Sequence, residues 1–226
     1  MMMRLATFNT NFFKTGRDLC DTLIEQGVDV ICLQRVREED ALAWHIPDRY
    51  ASCFHGDVPR DESSRSGVMT IAARDLEPKF TSVTLAHGMQ RHNAWQGNHA
   101  IVSEMAGIKI INCLPCYPEL QITQDDWQQH VQTCINLGSW SRSIIVGDFH
   151  SDDHDREWHS IDLHGFVNHA SHLNTFFSGN GYRSSLDKAF ARSDVNIIYV
   201  HPAILPHRDH RWYTRGMHWP VLVELA

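Results

Sequence analysis

Asp29-Val30-Ile31-Cys32-Leu33-Gln34-Arg35-Val36 and Ile144-Ile145-Val146-Gly147-Asp148-Phe149-His150 decide how this chain folds. Residues 28–33 form a nearly continuous apolar run of strand length, the pattern of a strand buried on both faces, and residues 144–146 read as a buried strand. Each turns polar at its end, the first at Gln34-Arg35 and the second at Asp148 and His150. A sheet holds its strand ends rigidly, so polar groups there open onto a common rim.

Outward from the first run, residues 5–8 read as a short strand. Thr15-Gly16-Arg17-Asp18 resembles a capping box, and Leu19, Leu23 and Ile24 give an apolar face to a helix that stops at Gly27. Residues 67–73, 80–85, 100–105 and 108–113 read as further strands, with Gly107 in a hairpin-like turn. Trp127, Val131, Cys134 and Ile135 recur at helical spacing over 125–137, and Gly138 is the stop. Residues 153–163 read as a short helix, 57–66 as a polar surface loop, and 186–190, 195–200 and 220–225 as closing strands. The expectation is one α/β domain over residues 1–226, with about ten strands and two to four helices. So many strands call for two packed sheets rather than one doubly wound sheet.

Composition narrows the function. Of 226 residues 42% are hydrophobic and 21% charged, which excludes wholesale disorder. No stretch approaches the roughly 18 apolar residues that cross a bilayer, so no membrane partner is expected. The N-terminal residues turn polar at Asn9 and offer no secretion-signal core, so a cytoplasmic protein is expected. Twenty Lys and Arg against 27 Asp and Glu leave a net charge of −7, which repels a phosphate backbone at long range. Nucleic acid remains possible as a substrate held in a local basic cleft, whereas a general coating protein is not expected. The 16 His residues add positive charge below about pH 6.5. Of the six cysteines several lie in apolar runs, and Cys113-Leu114-Pro115-Cys116 lacks the second ligand pair of a zinc site. Core or loop thiols are expected.

The candidate site residues are those at strand ends: Asn9, Arg35, Asp148, His150, Asp187 and His218. Any one alone reads as a turn cap or a hydrogen-bonded structural residue, but several at strand ends point to a site. Of the seven Trp, Trp127 and Trp219 read as core. Two basic-aromatic stretches, Arg91-His92-Asn93-Ala94-Trp95 and residues 207–215, suit either phosphate contact with base stacking or a protein interface.

The words and their order resemble a known superfamily. Thr7-Phe8-Asn9 resembles its opening T-W-N, and residues 29–36 resemble D-I-I-C-L-Q-E-V. Ser66-Gly67-Val68 resembles S-G-V, and residues 145–150 resemble V-I-G-D-F-N. Asn174-Thr175-Phe176 with Ser185-Leu186-Asp187 resembles T-F … R-I-D-Y-I-F, and residues 216–221 resemble S-D-H-x-P-V. Six words in order over residues 4–225 are similar to the endonuclease/exonuclease/phosphatase superfamily. The resemblance implies a four-layer α/β/β/α sandwich of two mixed sheets, with the site at one sheet edge. It also implies phosphoester hydrolysis with a divalent cation, usually magnesium. By position, Asp148 would orient the nucleophile, His218 would contact phosphate, Asp187 would support the histidine, and Asn9 would support metal or phosphate.

The departures matter as much. The motif's metal-binding Glu is Arg35, its last Asp is Met217, the Asn after G-D-F is His150, and a catalytic residue of the middle strand falls on Cys113. Arg35 puts a permanent cation where the divalent ion should lie. A pseudoenzyme that binds a phosphorylated ligand or a protein partner is therefore expected, with Asn9, Arg35 and His150 on the phosphate and no cofactor. The alternative is a divergent phosphodiesterase in which Arg35 replaces magnesium, or in which another divalent metal has moved to His150, His154 and His159. Arg35 is expected to pair with Asp148 or Asp187.

Overall fold

Side-chain parity along the strands sorts the chain into layers. The structure, a computed structural model, describes residues 2–10, 16–57, 65–85, 99–115, 124–139, 142–152, 158, 161–177, 183–203 and 217–226. One six-stranded sheet contains β1 (Met3–Asn9), β2 (Val30–Arg37), β3 (Tyr50–Asp57), β4 (Ser66–Ala73), β13 (Ile197–Pro202) and β15 (Val221–Leu225), in the order β13-β15-β1-β2-β4-β3. The other contains β5 (Lys79–Thr84), β6 (His99–Met105), β7 (Ile108–Leu114), β8 (Ser143–Asp148), β9 (Phe166–Asn168) and β12 (Asp187–Arg192), in the order β5-β6-β7-β8-β12-β9. A small third sheet joins β10 (Phe176–Phe177), β11 (Arg183–Ser184) and β14 (Met217–His218).

Leu5, Val30, Cys32, Ile110, Ile144, Val146, Ala189 and Ala191 pack together between the two large sheets. Their strand neighbours point the other way. Ala6, Phe8, Ile31 and Leu33 pack on Leu19, Leu23 and Ile24 of helix α1 (Gly16–Glu25) and on Ala41 of α2 (Glu38–Ala43). Ile111, Ile145 and Phe190 pack on Trp127, Val131 and Ile135 of α3 (Gln124–Gly138). This is the expected α/β/β/α sandwich. β1 with β2 and β7 with β8 run parallel, and the other pairs are antiparallel. Gly147 lets β7 and β8 close up, since a Cβ there would lie 1.9 Å from the Cys113 carbonyl oxygen. Ala106 and Gly107, both at positive φ, close the β6–β7 hairpin.

The elements with strong apolar patterns fall where the sequence places them. The described residues nevertheless hold fifteen strands, not about ten. The unanticipated ones are short or only half-buried: β3 is an edge strand with mixed burial, and β10 and β11 have two residues each. Helix α2 has six residues, too short for a periodic signal. Residues 161–163 are not helical, while 153–157, 159 and 160 of the expected helix lie outside the described residues, as do 58–64 of the expected loop. Asp57 and Ser66, at the ends of that loop, belong to β3 and β4. Cys20, Cys32, Cys113 and Cys134 are free and buried, as expected, and Cys53 is half-buried; Cys116 lies outside the described residues. No described helix is long and apolar enough to cross a membrane.

Toward one end, the layer between the sheets changes from apolar to polar. Asn112 of β7 donates through Nδ2 to the Met69 carbonyl at 2.9 Å and to Thr70 Oγ1 at 3.1 Å, both on β4. It accepts from Gln34 Nε2 of β2 at 2.8 Å, and Gln34 also donates to Thr7 Oγ1 of β1 at 3.1 Å. Gln34 and Asn112 are fully buried, so each lost partner leaves a dry polar group. Asn112→Leu should destabilise the fold by about 1–3 kcal/mol. Urea unfolding measures this, and the Gln34→Leu/Asn112→Leu double variant should lose less than the sum of the singles.

Two histidines outside this layer are buried and held neutral. Burial pushes His99 of β6 down to about 4, against the Asp57 carboxylate 3.9 Å away; His55, Arg65 and His130 add to the lowering. His99 is therefore no ion-pair partner at neutral pH, and its ring stands edge-on to His55. Burial likewise takes His130 of α3 down to about 4, against Asp126. The unfolded chain protonates both near pH 6.5 and the folded chain only near pH 4. Their stabilisation is thus complete above pH 6.5 and is lost as pH falls from 6.5 toward 4, at about 1.4 kcal/mol per pH unit for each. Urea unfolding at pH 7 and pH 5 compared between wild type and His99→Phe isolates one such contribution: the variant's slope should be smaller by about one proton.

Candidate functional site

The inward-facing series of three strands end in polar groups at the same rim. On β1 it runs Met3, Leu5, Thr7, Asn9; on β8 Ile144, Val146, Asp148; and on β12, read backwards, Ala191, Ala189, Asp187. Asp148 and Asp187 are register partners on adjacent antiparallel strands, so two fully buried carboxylates stand side by side. Such a pair is repulsive unless a cation lies between them.

His218 lies where that cation is needed. β14 carries it to the rim by pairing with Phe176 of β10, and its ring lies 5.1 Å from the Phe176 ring. His218 Nδ1 is 2.7 Å from Asp187 Oδ2, and Nε2 is 3.6 Å from Asp148 Oδ2. Thr175 ties the two segments together. Its Oγ1 accepts from the Asp187 amide at 3.0 Å, and its carbonyl accepts from the Trp219 amide at 2.6 Å. Sequence reading passed over Thr175 as a site residue; its one signal was its place in the Asn174-Thr175-Phe176 word.

Asp148 is the most contacted group. Its Oδ2 accepts from Asn9 Nδ2 at 2.7 Å and faces His150 Nδ1 at 3.2 Å, while Oδ1 accepts from the His150 amide at 2.9 Å. His150 takes a left-handed φ of 57°, which turns both its amide and its ring back onto Asp148. Arg35 is left-handed as well, with φ 54°, at a break in the β2–β4 register. Two non-glycine residues in this conformation at one site are strain held in place by their surroundings.

Electrostatics follow from this geometry. Burial works to raise the Asp148 carboxyl, but His150, His218, Arg35 and the Asn9 amide outweigh it and hold it down to about 2. Burial takes His150 down to about 3 against the pull of Asp148, with Arg35 and His218 adding to the lowering. His150 is therefore neutral at pH 7, and its contact with Asp148 is a hydrogen bond from an Nδ1–H tautomer. Burial also opposes charge on His218, yet Asp187 and Asp148 together raise it above its ordinary value. Asp187 is raised, chiefly by burial and further by Asp148, while His218 and Thr175 oppose the shift. The Asp187–His218 pair titrates as a unit, and the direction set by two carboxylates facing one imidazole is a protonated His218.

Asn9, Asp148, His150, Asp187 and His218 thus converge, and Arg35 joins them through its charge. Asn9, His150 and His218 make close contacts with Asp148, and Arg35, expected to pair with Asp148 or Asp187, acts on Asp148 through its charge, after the two histidines in lowering it. Gln34 turns away into the bridge between the sheets. Cys113, matched to the middle-strand catalytic position, packs in the α3 layer, where burial pushes its thiol up. Trp127 is core, while Trp219 is half-buried and donates to the Ala203 carbonyl at 2.9 Å. His154, His159, residues 91–95 and residues 207–215 lie outside the described residues. Among the described residues no group of three or more His, Cys, Asp or Glu is arranged to hold a metal ion.

No family model and no curated protein sequence matches the chain. Solved structures do. An endonuclease/exonuclease/phosphatase from Bacteroides vulgatus superposes with a TM-score of 0.73 at 14% identity, covering 100% of this chain and 99% of that one. D. rerio TDP2 complexed with a single-strand DNA product gives 0.66 at 14% identity, over 100% and 99% of the two chains. A mannosyl-6-phosphatase from Bacteroides thetaiotaomicron gives 0.65 at 15% identity, over 99% of each chain. At these identities the likeness is one of fold, and it agrees with the two packed mixed sheets described above: the chain has the two-sheet α/β fold of the endonuclease/exonuclease/phosphatase proteins.

Proposed function

We propose that this chain is a pseudoenzyme of that fold, which binds a phosphate-bearing ligand at the Asp148–His218 rim without a divalent cation. The observation that carries this reading is the set of contacts on Asp148. Asn9, His150 and His218 direct nitrogen donors at its Oδ2, and Arg35 adds a positive charge. Magnesium needs near-octahedral oxygen ligands at about 2.1 Å, and a carboxylate already contacted by nitrogen donors, with a positive charge acting on it, is a poor host. The donor set does not fit the ion that the fold family implies. A protonated His218 and Arg35 suit an anionic oxygen instead. Two of the fold's other members support the ligand class, one solved with a single-strand DNA product and one a mannosyl-6-phosphatase.

A second reading is favoured by one distance. His218 keeps Asp187 at 2.7 Å behind it, the arrangement of a histidine held to donate a proton or stabilise a charged phosphate. That would make the chain a slow, metal-independent phosphodiesterase.

Inorganic phosphate and a short single-stranded oligonucleotide should bind more weakly as salt rises. His218→Ala should weaken binding by about 10- to 100-fold, the worth of a charge-assisted hydrogen bond. Binding should also fade as pH rises through the raised His218 value, because the cationic form is the one that binds. Calorimetric titration of wild type and His218→Ala at two salt concentrations and two pH values reads all three effects, and binding indifferent to salt points to a protein partner instead. Magnesium should leave the melting temperature unchanged. Incubation with plasmid, single-stranded DNA and RNA should give little magnesium-dependent cleavage, and robust turnover abolished by a chelator overturns the metal-free reading.

A further inference from the structure

The alternation on β2 breaks at the site. Leu33 and Val36 are three residues apart, yet both pack in the layer beneath α1. Gln34 between them faces the other sheet. A regular strand cannot place residues three apart on one face, so one residue must be extra. The β2–β4 register identifies it: Gln34 pairs with Val68 and Val36 with Gly67, and Arg35 is skipped. Without this bulge Arg35 would follow Leu33 into the apolar layer among Leu19 and Leu23, and Val36 would turn inward.

An arginine does not take φ 54° unaided. Thr10, directly after Asn9 and almost fully buried, supplies the hold. Its amide donates to the Gln34 carbonyl at 2.9 Å. Its hydroxyl donates to the Arg35 carbonyl at 2.8 Å and lies 3.1 Å from the Gln34 carbonyl. The Arg35 carbonyl reaches that hydroxyl because the left-handed residue turns it toward the end of β1.

We infer that Thr10 is a positioning residue of this site: its hydroxyl locks the Gln34–Arg35 bulge that brings the Arg35 charge to Asp148, His150 and His218. Asn9 and Thr10 then act together, the first holding Asp148 and the second holding the cation that faces it. The Arg35 charge is thereby placed at the rim rather than against α1. This role presupposes the rim as the ligand site, so the test uses no ligand and its failure is separable from a failure to bind phosphate.

The His218 imidazole can be titrated by NMR in the full chain. The Arg35 charge opposes protonation of His218, so Arg35→Gln should raise its pKa. Thr10→Val keeps the shape and removes the donor. It should produce at least half of the rise seen in Arg35→Gln, and Thr10→Ser should stay near wild type. A Thr10→Val titration that matches wild type overturns the inference, as does an Arg35→Gln variant that leaves His218 unmoved. Stability gives a second readout that tolerates loss of folding. Glycine adopts the left-handed conformation freely, so Thr10→Val should be less damaging in an Arg35→Gly background than in wild type. Equal damage in both backgrounds, or failure to fold in both, means that the hydroxyl does not hold the bulge.

Discussion

Two carboxylates buried side by side across β8 and β12 are the constraint on which this rim depends. The Asp148–Asp187 register leaves neither side chain a route to water. Ionising both in a dry site is costly unless positive charge is brought to them. His218 is held for this by a strand of two residues, and the small third sheet exists where it does because β14 must reach the rim to pair with β10. The two carboxylates favour the charged form of His218, and that charge in turn eases their burial.

The same constraint accounts for the strained backbone around it. Arg35 and His150 are both left-handed non-glycine residues; that conformation turns His150 onto Asp148, and the charge of Arg35 acts on the same carboxylate. One brings charge and the other a neutral hydrogen-bond donor. Together with Asn9 they surround a single carboxylate that lies at about 2 and stays anionic through any ordinary pH. A carboxylate in this setting has its charge balanced from within the protein, and an incoming anion meets His218 and Arg35 rather than bare negative charge.

Behind the rim, a polar layer joins the two sheets. Gln34, Thr7, Thr70 and Asn112 exchange hydrogen bonds across the gap between β1, β2, β4 and β7, where the rest of the layer is apolar. Apolar packing alone would let one sheet slide on the other at little cost, whereas directional bonds between buried groups fix the offset. That offset places Asn9 of one sheet within 2.7 Å of Asp148 of the other.

The sequence by itself determined the elements whose signal is local. Continuous apolar runs marked β2 and β8, helical spacing marked α3, and the change from apolar to polar at strand ends marked Asn9 and Asp148 as residues of a common rim. Short or half-exposed pieces escaped, because β3, α2 and the two-residue strands bury too little to leave a pattern. Most residues of the site were legible for the same local reason: they end strands. Their partners were not. Whether Arg35 meets Asp148 closely or at one remove, whether Gln34 joins the site or the bridge, and which oxygen His218 faces all depend on register between strands far apart in the chain. The spacing of Leu33 and Val36 carried the bulge in plain view, but it acquires meaning only once Val68 and Gly67 lie opposite. Parity is a property of one strand and can be read from it, whereas register and charge balance belong to pairs of strands and arise only when the two sheets close on each other.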